Sequence, residues 1–155
     1  MTRRGAVSGP LAKSDYETLA EFRHLLRRFV AFSDAAAEGA GLRPQQHQAL
    51  LVIKGFPGRE RITVGELAER LGIRHHSAVG LVDRLAAHNL VRRRVDPTDR
   101  RQVEIALTPR AEAVLSRLSL AHRDELTRLA PLFQGLFAQL SAKRLDARRK
   151  RREKA

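Results

Sequence analysis

Apolar residues recur three and four positions apart over most of this chain and every second position over one short stretch, a pattern that predicts helices and a half-buried strand. The first helix runs from Asp15 to about Ala37, with Leu19, Phe22, Leu26 and Phe29 as its stripe, and Gly39 and Gly41 end it. Pro44 opens a second helix, through about Lys54, that turns Ala49, Leu50 and Ile53 inward. Thr63 and Glu66 have the spacing of a capping box, after which Val64, Leu67, Ala68 and Leu71 share one helical face and Gly72 supplies the stop. A fourth helix begins near His75 or His76, buries Ala78, Leu81, Val82 and Leu85, and ends near His88-Asn89.

A hairpin follows. Leu90 to Val95 leads into Asp96-Pro97-Thr98-Asp99, which is strong turn chemistry, and Val103, Ile105 and Leu107 then alternate with Gln102, Glu104 and Ala106. Five arginines (Arg92, Arg93, Arg94, Arg100 and Arg101) stand against Asp96, Asp99 and Glu104, so its tip is cationic. Thr108-Pro109 caps a long helix to about Leu129, with Leu115, Leu118, Leu126 and Leu129 as its stripe. Pro131 marks a break or a fresh first turn before a last helix that presents Phe133, Leu136, Phe137 and Leu140.

The order capped helix, tight turn, helix, basic hairpin over residues 62–108 is that of a winged helix–turn–helix, whose second helix enters the DNA major groove. The fold class is mainly α (α+β). Residues 1–14 read as a mobile arm, 42–108 as the winged helix, 15–38 and 109–142 as a flanking helical region, and 143–155 as a basic tail. The terminal stripes hold more apolar surface than so small a winged helix can cover. They either form a cap on the same chain or pair with a second copy.

Composition agrees with this reading. A length of 155 residues suits one domain, and a hydrophobic fraction of 43% can supply a core. The net charge of +13 points to a polyanionic partner through counterion release. In the tail, eight basic residues face only Asp146 and Glu153, so +6 of that charge lies there, on a disordered solvated end or a further DNA contact. The absence of cysteine rules out disulfides and thiolate metal sites. No apolar stretch approaches the ~20 residues of a membrane span, and no signal-peptide core opens the chain, so a cytoplasmic, nucleoid-associated protein is expected. An enzyme lacks its parts here: there is no phosphate-binding glycine loop, no His-Glu metal motif and no carboxylate pair in an apolar setting, and no cofactor is called for.

Leu67-Ala68-Glu69-Arg70-Leu71, Leu81-Val82-Asp83-Arg84-Leu85, Leu90-Val91-Arg92 and Asp96-Pro97-Thr98-Asp99-Arg100-Arg101 through Leu107-Thr108, taken together over roughly residues 15–140, resemble the MarR family of bacterial transcription regulators. The resemblance implies a homodimer joined by intertwined N- and C-terminal helices, a palindromic double-stranded DNA operator, repression of nearby genes, and release by a small phenolic or anionic ligand. It also resolves the terminal stripes in favour of pairing, which sets two recognition helices about 34 Å apart, one DNA turn.

The candidate DNA-binding residues are Arg74, His75, His76, Ser77, Gly80 and Arg84 on the recognition helix, and Arg92, Arg94, Asp99, Arg100 and Arg101 on the wing. His75 and His76 lack a third ligand at useful spacing, which leaves DNA contact over metal. Arg84 either grips a phosphate or pairs within the domain. Gly80 departs from the family, which often carries a large polar side chain at this outward position, so the family's base contacts do not transfer directly. The resemblance sends Arg101 into the minor groove with Asp99 bracing it; the plainer reading has the two tying the hairpin turn. His24 and Arg27 in the first helix and His47 in the second are candidate donors to an anionic ligand, each also an ordinary structural or solvated side chain. The rival to a sequence-specific regulator is a nonspecific, basic DNA-coating protein. A winged helix that binds protein instead of DNA comes third.

Overall fold

Helix α1 (Lys13–Gly39) is followed by α2 (Pro44–Lys54), β1 (Arg61–Thr63), α3 (Val64–Leu71), α4 (His75–Ala87), β2 (Val91–Val95), β3 (Val103–Leu107) and α5 (Pro109–Arg152). These elements come from a computed structural model that describes residues 11–95, 99 and 102–152, with side chains to residue 142. Most of the arm expected at 1–14, the turn residues Asp96, Pro97 and Thr98, and the wing arginines Arg100 and Arg101 lie outside the described residues.

The chain divides into two units, residues 31–124 and residues 1–30 with 125–155. The first holds the winged helix. Its core gathers Leu50 and Ile53 of α2, Leu67 of α3, Leu81, Val82 and Leu85 of α4, and Ile62 and Ile105 of the sheet. Ala37, Ala111, Leu115 and Leu118 belong to the same core. The end of α1 and the start of α5, placed by the sequence pattern with the flanking helices, are therefore part of the winged-helix unit.

Its sheet has the order β1-β3-β2, antiparallel throughout, with Ile62 opposite Ile105 and Arg93 opposite that same Ile105. β1 has no counterpart in the sequence pattern. Three residues with one buried apolar side chain show no alternation, and the strand exists because β3, more than forty residues on, supplies its partners.

Helices α1, α3 and α4 close in one way. The amide of Leu42 donates to Ala37 and that of Gly41 to Glu38; Ile73 and Gly72 donate to Ala68 and Glu69; Leu90 and Asn89 donate to Leu85 and Ala86. This paired closure needs a left-handed residue, supplied by Gly41, by Gly72 at φ 64° and, without glycine, by Asn89 at φ 55°. Thr63 and Glu66 form the expected capping box: the Glu66 amide donates to Thr63 Oγ1 at 3.2 Å, and the Thr63 amide donates to Glu66 Oε2 at 2.8 Å. Burial opposes ionisation of Glu66, but the Thr63 donors and Arg59 outweigh it and hold the carboxyl below its ordinary range.

The other unit is built from α1 and α5 segments around Leu25, Leu129 and Leu136, with Phe22, Phe29 and Phe133 against them. Phe22 meets Phe133 edge-on at 5.9 Å. The buried face of α1 is turned by one position from the expected stripe. Leu25 is buried, whereas Leu19 and Leu26 are exposed. α1 also starts two residues early, because the Asp15 carboxylate accepts from the Ala12 amide at 2.9 Å and supports the extra turn.

Two expectations in α5 are corrected. The helix does not break at Pro131, which sits inside it. An interior proline costs about 3 kcal/mol. Burying Leu129 and Leu136 and half-burying Phe133 on one face returns roughly 1.5–3 kcal/mol per fully covered side chain, and that holds the helix across the defect. Nor does the backbone become irregular at 143, where a disordered tail was expected: it stays helical to Arg152, in a segment of lysine, arginine, leucine and alanine with one aspartate and no glycine or proline.

Thr108 joins three elements of the winged helix. It is 1% exposed; its amide donates to Leu90 at 3.1 Å, its hydroxyl donates to the Asn89 carbonyl at 2.8 Å, and its Oγ1 accepts from the Ala111 amide at 3.2 Å. Thr108→Val keeps the shape but removes the cap and strands the Asn89 carbonyl, so a loss of about 2–3 kcal/mol in urea unfolding is expected. A change under about 0.5 kcal/mol would show that the junction is held by packing alone.

Candidate nucleic-acid interface

The capping box and the Gly72 closure fix the angle at which Ile73-Arg74 leads into α4. That helix buries Ala78, Leu81, Val82 and Leu85, so the intervening positions face outward: His75, His76, Ser77, Val79, Asp83 and Arg84 are exposed, as is Arg74 before the helix. The first turn of α4 carries no acidic residue, and Arg74 makes no side-chain cap. All the candidates on this helix thus share one accessible surface. Gly80 lies among them, half-buried, and a Cβ there would sit 3.5 Å from Nη1 of Arg84. The Arg84 guanidinium therefore lies back over Gly80, along the helix, and a larger residue would lift it.

Asp83 accepts a hydrogen bond from the Arg93 guanidinium, which ties α4 to the wing. Sequence reading leaves this contact unseen, because the two residues are ten apart and on different elements. The register explains it: Arg93 stands opposite buried Ile105 and so on the inner side of the sheet, toward α4. Both partners are exposed, so the pair adds no more than about 1 kcal/mol and serves geometry more than stability.

Alternation then sets Arg92 and Arg94 on the outer side, opposite Ala106 and Glu104. Arg61 of β1 stands on that side too, 3.6 Å from Glu104. The outer face of the sheet is three arginines around one carboxylate. Beyond the strand ends, the Gln102 amide donates to the Asp99 carbonyl at 2.9 Å. Asp99 is half-buried; the wing candidates Arg100 and Arg101 lie outside the described residues.

A further cationic group was not legible beforehand. Arg59 and Arg70 both stack on Phe56, 4.9 and 5.1 Å from its ring centre.

The three ligand candidates belong to different units. His24 and Arg27 are exposed on α1 in the helical unit. His47 belongs to the winged-helix unit, where it is buried and its ring lies 4.7 Å from that of His122. The winged-helix unit also holds an open crevice of about 520 Å³ between α1 and α5, lined by Ala36, Ala40, Val114, Leu118 and Ala121 with Arg117 as its charged group. Among the described residues no cluster of three or more histidine or acidic side chains could hold a metal ion, and no helix is long and apolar enough to cross a membrane.

Residues 40–102 match the model of the MarR family. Over this stretch the chain is similar to that family. The match begins just before α2 and ends in the wing, and so covers the surface described above. The uncharacterised HTH-type transcriptional regulator YcgE of Bacillus subtilis (strain 168) is 38% identical over 84 residues, 54% of this chain and 53% of that protein. The chain spans about half the length of the curated relatives it matches. Among solved structures, a mutant of S. aureus MepR bound to an oligodeoxyribonucleotide superposes with a TM-score of 0.61 at 20% identity, over 85% of this chain and 96% of that one. Bordetella bronchiseptica BpsR, whose DNA binding is regulated by 6-hydroxynicotinic acid, superposes at 0.59 and 22% identity, over 89% and 99%. At these identities the likeness shows the MarR-type winged-helix fold.

Gly80 gives a direct test of how the recognition surface is built. Alanine is favoured over glycine inside a helix by about 1 kcal/mol, and 3.5 Å to Arg84 is ordinary contact. Gly80→Ala should therefore stabilise the fold by up to about 1 kcal/mol in chemical unfolding. Destabilisation would mean that Arg84 cannot shift.

Proposed function

We propose that this chain is a homodimeric, sequence-specific DNA-binding transcription regulator, a repressor released by a small ligand. The observation that carries the reading is one basic surface made by two elements: the outward face of α4, with Arg74, His75, His76, Ser77 and Arg84, locked through Asp83 and Arg93 to a wing whose outer face carries Arg92 and Arg94. A helix of this kind offers donors to base edges in the major groove, while wing arginines suit phosphates and the negative potential of a narrow minor groove. Arg100 and Arg101, which follow in the sequence, add two further positive charges. The DNA-bound MepR structure, similar in fold, supports this assignment.

Pairing of two copies is supported by the apolar surface of the helical unit. Leu19, Leu26, Val30, Leu126, Leu132 and Phe137 are all exposed there, and Phe137 keeps 51% of its surface in water. A symmetric dimer covers such a face and presents two readers to a palindromic site. The ligand part of the reading rests on BpsR and on the crevice with Arg117, whose apolar walls and single cation suit a small aromatic or carboxylate effector.

The test is titration of the full chain against the DNA upstream of its own gene and against scrambled competitor at fixed salt. A regulator gives a specificity ratio on the order of 10³ or more; a ratio near one makes it a nonspecific coating protein. Arg101→Ala is expected to weaken operator binding roughly ten- to a hundredfold and to flatten the salt dependence. Unchanged affinity and slope would remove the wing from the interface. Light scattering at working concentration should give twice the chain mass, and a stable folded single copy would overturn the pairing.

A further inference from the structure

Within the winged-helix unit, the end of α1, the start of α2 and the middle of α5 meet around two histidines. His47 of α2 is 3% exposed, and its Nδ1 is sealed from water with no hydrogen-bond partner. Its ring lies 4.7 Å from that of His122 on α5, tilted by 37°, and Phe32 of α1 packs edge-on against His122 from 5.5 Å. His122 is itself committed. Its Nδ1 sits 2.6 Å from the Leu118 carbonyl and donates to it, which leaves Nε2 to accept from the Ser33 hydroxyl at 2.8 Å. Neutral imidazoles satisfy this arrangement. A proton added at Nδ1 of His47 would find no acceptor, in a buried site beside a second imidazole.

We propose that His47 and His122 form an acid-sensitive latch, in which proton uptake by His47 releases α2 from α5 inside the winged-helix unit. The groups around the pair leave the added charge largely uncompensated. From α1, Asp34 favours the charged form; from α5, His122 opposes it, and burial opposes it more strongly, so the His47 imidazole is held below its ordinary value. The charged side chains of the other elements packed on α2 are engaged elsewhere: Glu66 of α3 with Thr63 and Arg59, Arg61 of β1 with Glu104 of β3, and Lys54 of α2 itself with Glu60 and Glu112. The remaining charges of α3, Glu69 and Arg70, are exposed.

The sign follows from linkage. A base that binds its proton less readily when folded contributes stability that is complete above its ordinary midpoint, about 6.5, and is lost as the pH falls through that value toward the lowered one. The window is distinct from that of the carboxylates. Glu66 and Glu125, held low by Thr63 and by Arg128 respectively, titrate below pH 4.5. The Lys54–Glu112 ion pair, at 3.0 Å, also ties α2 to α5; it involves neither histidine and stays closed when the histidine pair opens.

The experiment is thermal unfolding of the full chain at pH 7.5 and 5.5 at constant salt, for the wild type, His47→Gln and His122→Gln, together with an NMR titration of the wild-type histidine rings. The expected result is a His47 midpoint below about 6.5 and a fall in Tm of roughly 3–6 °C on acidification, most of it abolished in His47→Gln. Each pH unit by which the midpoint is lowered corresponds to a tenfold bias toward the closed pair. An ordinary midpoint for His47 would overturn the proposal on the wild-type protein alone, even if the variants fail to fold. The same Tm loss in His47→Gln as in the wild type would overturn it equally. Neither arm uses DNA, so the latch can fail while the regulator reading stands, and the reverse.

Discussion

The geometry of the surface proposed to meet DNA depends on a small polar knot buried beneath it. The Thr108 hydroxyl caps α5 and holds the carbonyl of Asn89 just past the end of α4, while the Thr108 amide donates to Leu90 where the wing begins. Recognition helix, wing and the helix that leaves the domain are thereby referred to one residue. Apolar packing around Ile62, Leu85 and Ile105 supplies most of the stabilisation, but packing is tolerant of small rotations and hydrogen bonds of this length are not. The angle between α4 and the wing is set by the knot, and the Asp83–Arg93 pair reinforces it from the surface.

Electrostatics on that surface follow a simple division. Acidic side chains are spent on orientation: Glu66 closes its capping box, Asp83 positions Arg93, and Glu104 stands among the outer arginines. Each of these contacts is worth little in stability at an exposed position. Their effect is to hold rigid a scaffold whose other cations, on the face of α4 and on the outer side of the sheet, point to solvent.

Much of the fold was legible in the chain. Helical spacing located α2 through α4 to within a residue, and the capping box and the Gly72 stop were readable because they are local: their partners lie within four positions. What was hidden is non-local. β1 is invisible without β3, Arg93 looks like any wing arginine until the register turns it toward Asp83, and His122 is an unremarked helical residue until α2 brings His47 to it. The α1 stripe was read one position out because Leu25 and Leu26 are adjacent and equally apolar, and only the partner segment of α5 chooses between them. At Pro131 the local rule was correct about the cost and silent about the packing that overrides it. The surface of α4 was predicted well for the same reason that its helix was: outward positions are whatever the buried stripe leaves over.

Asn89 carries an implication for how this sequence can change over time. Its backbone is left-handed at φ 55°, and both closure bonds of α4 and the start of β2 run through it or its neighbour. Glycine or aspartate can occupy that spot at little strain, whereas a valine or isoleucine cannot. Substitution at exposed His88 next door, or at the outward positions of α4, therefore leaves this closure intact, while Asn89 itself is confined to the few residue types that tolerate its backbone.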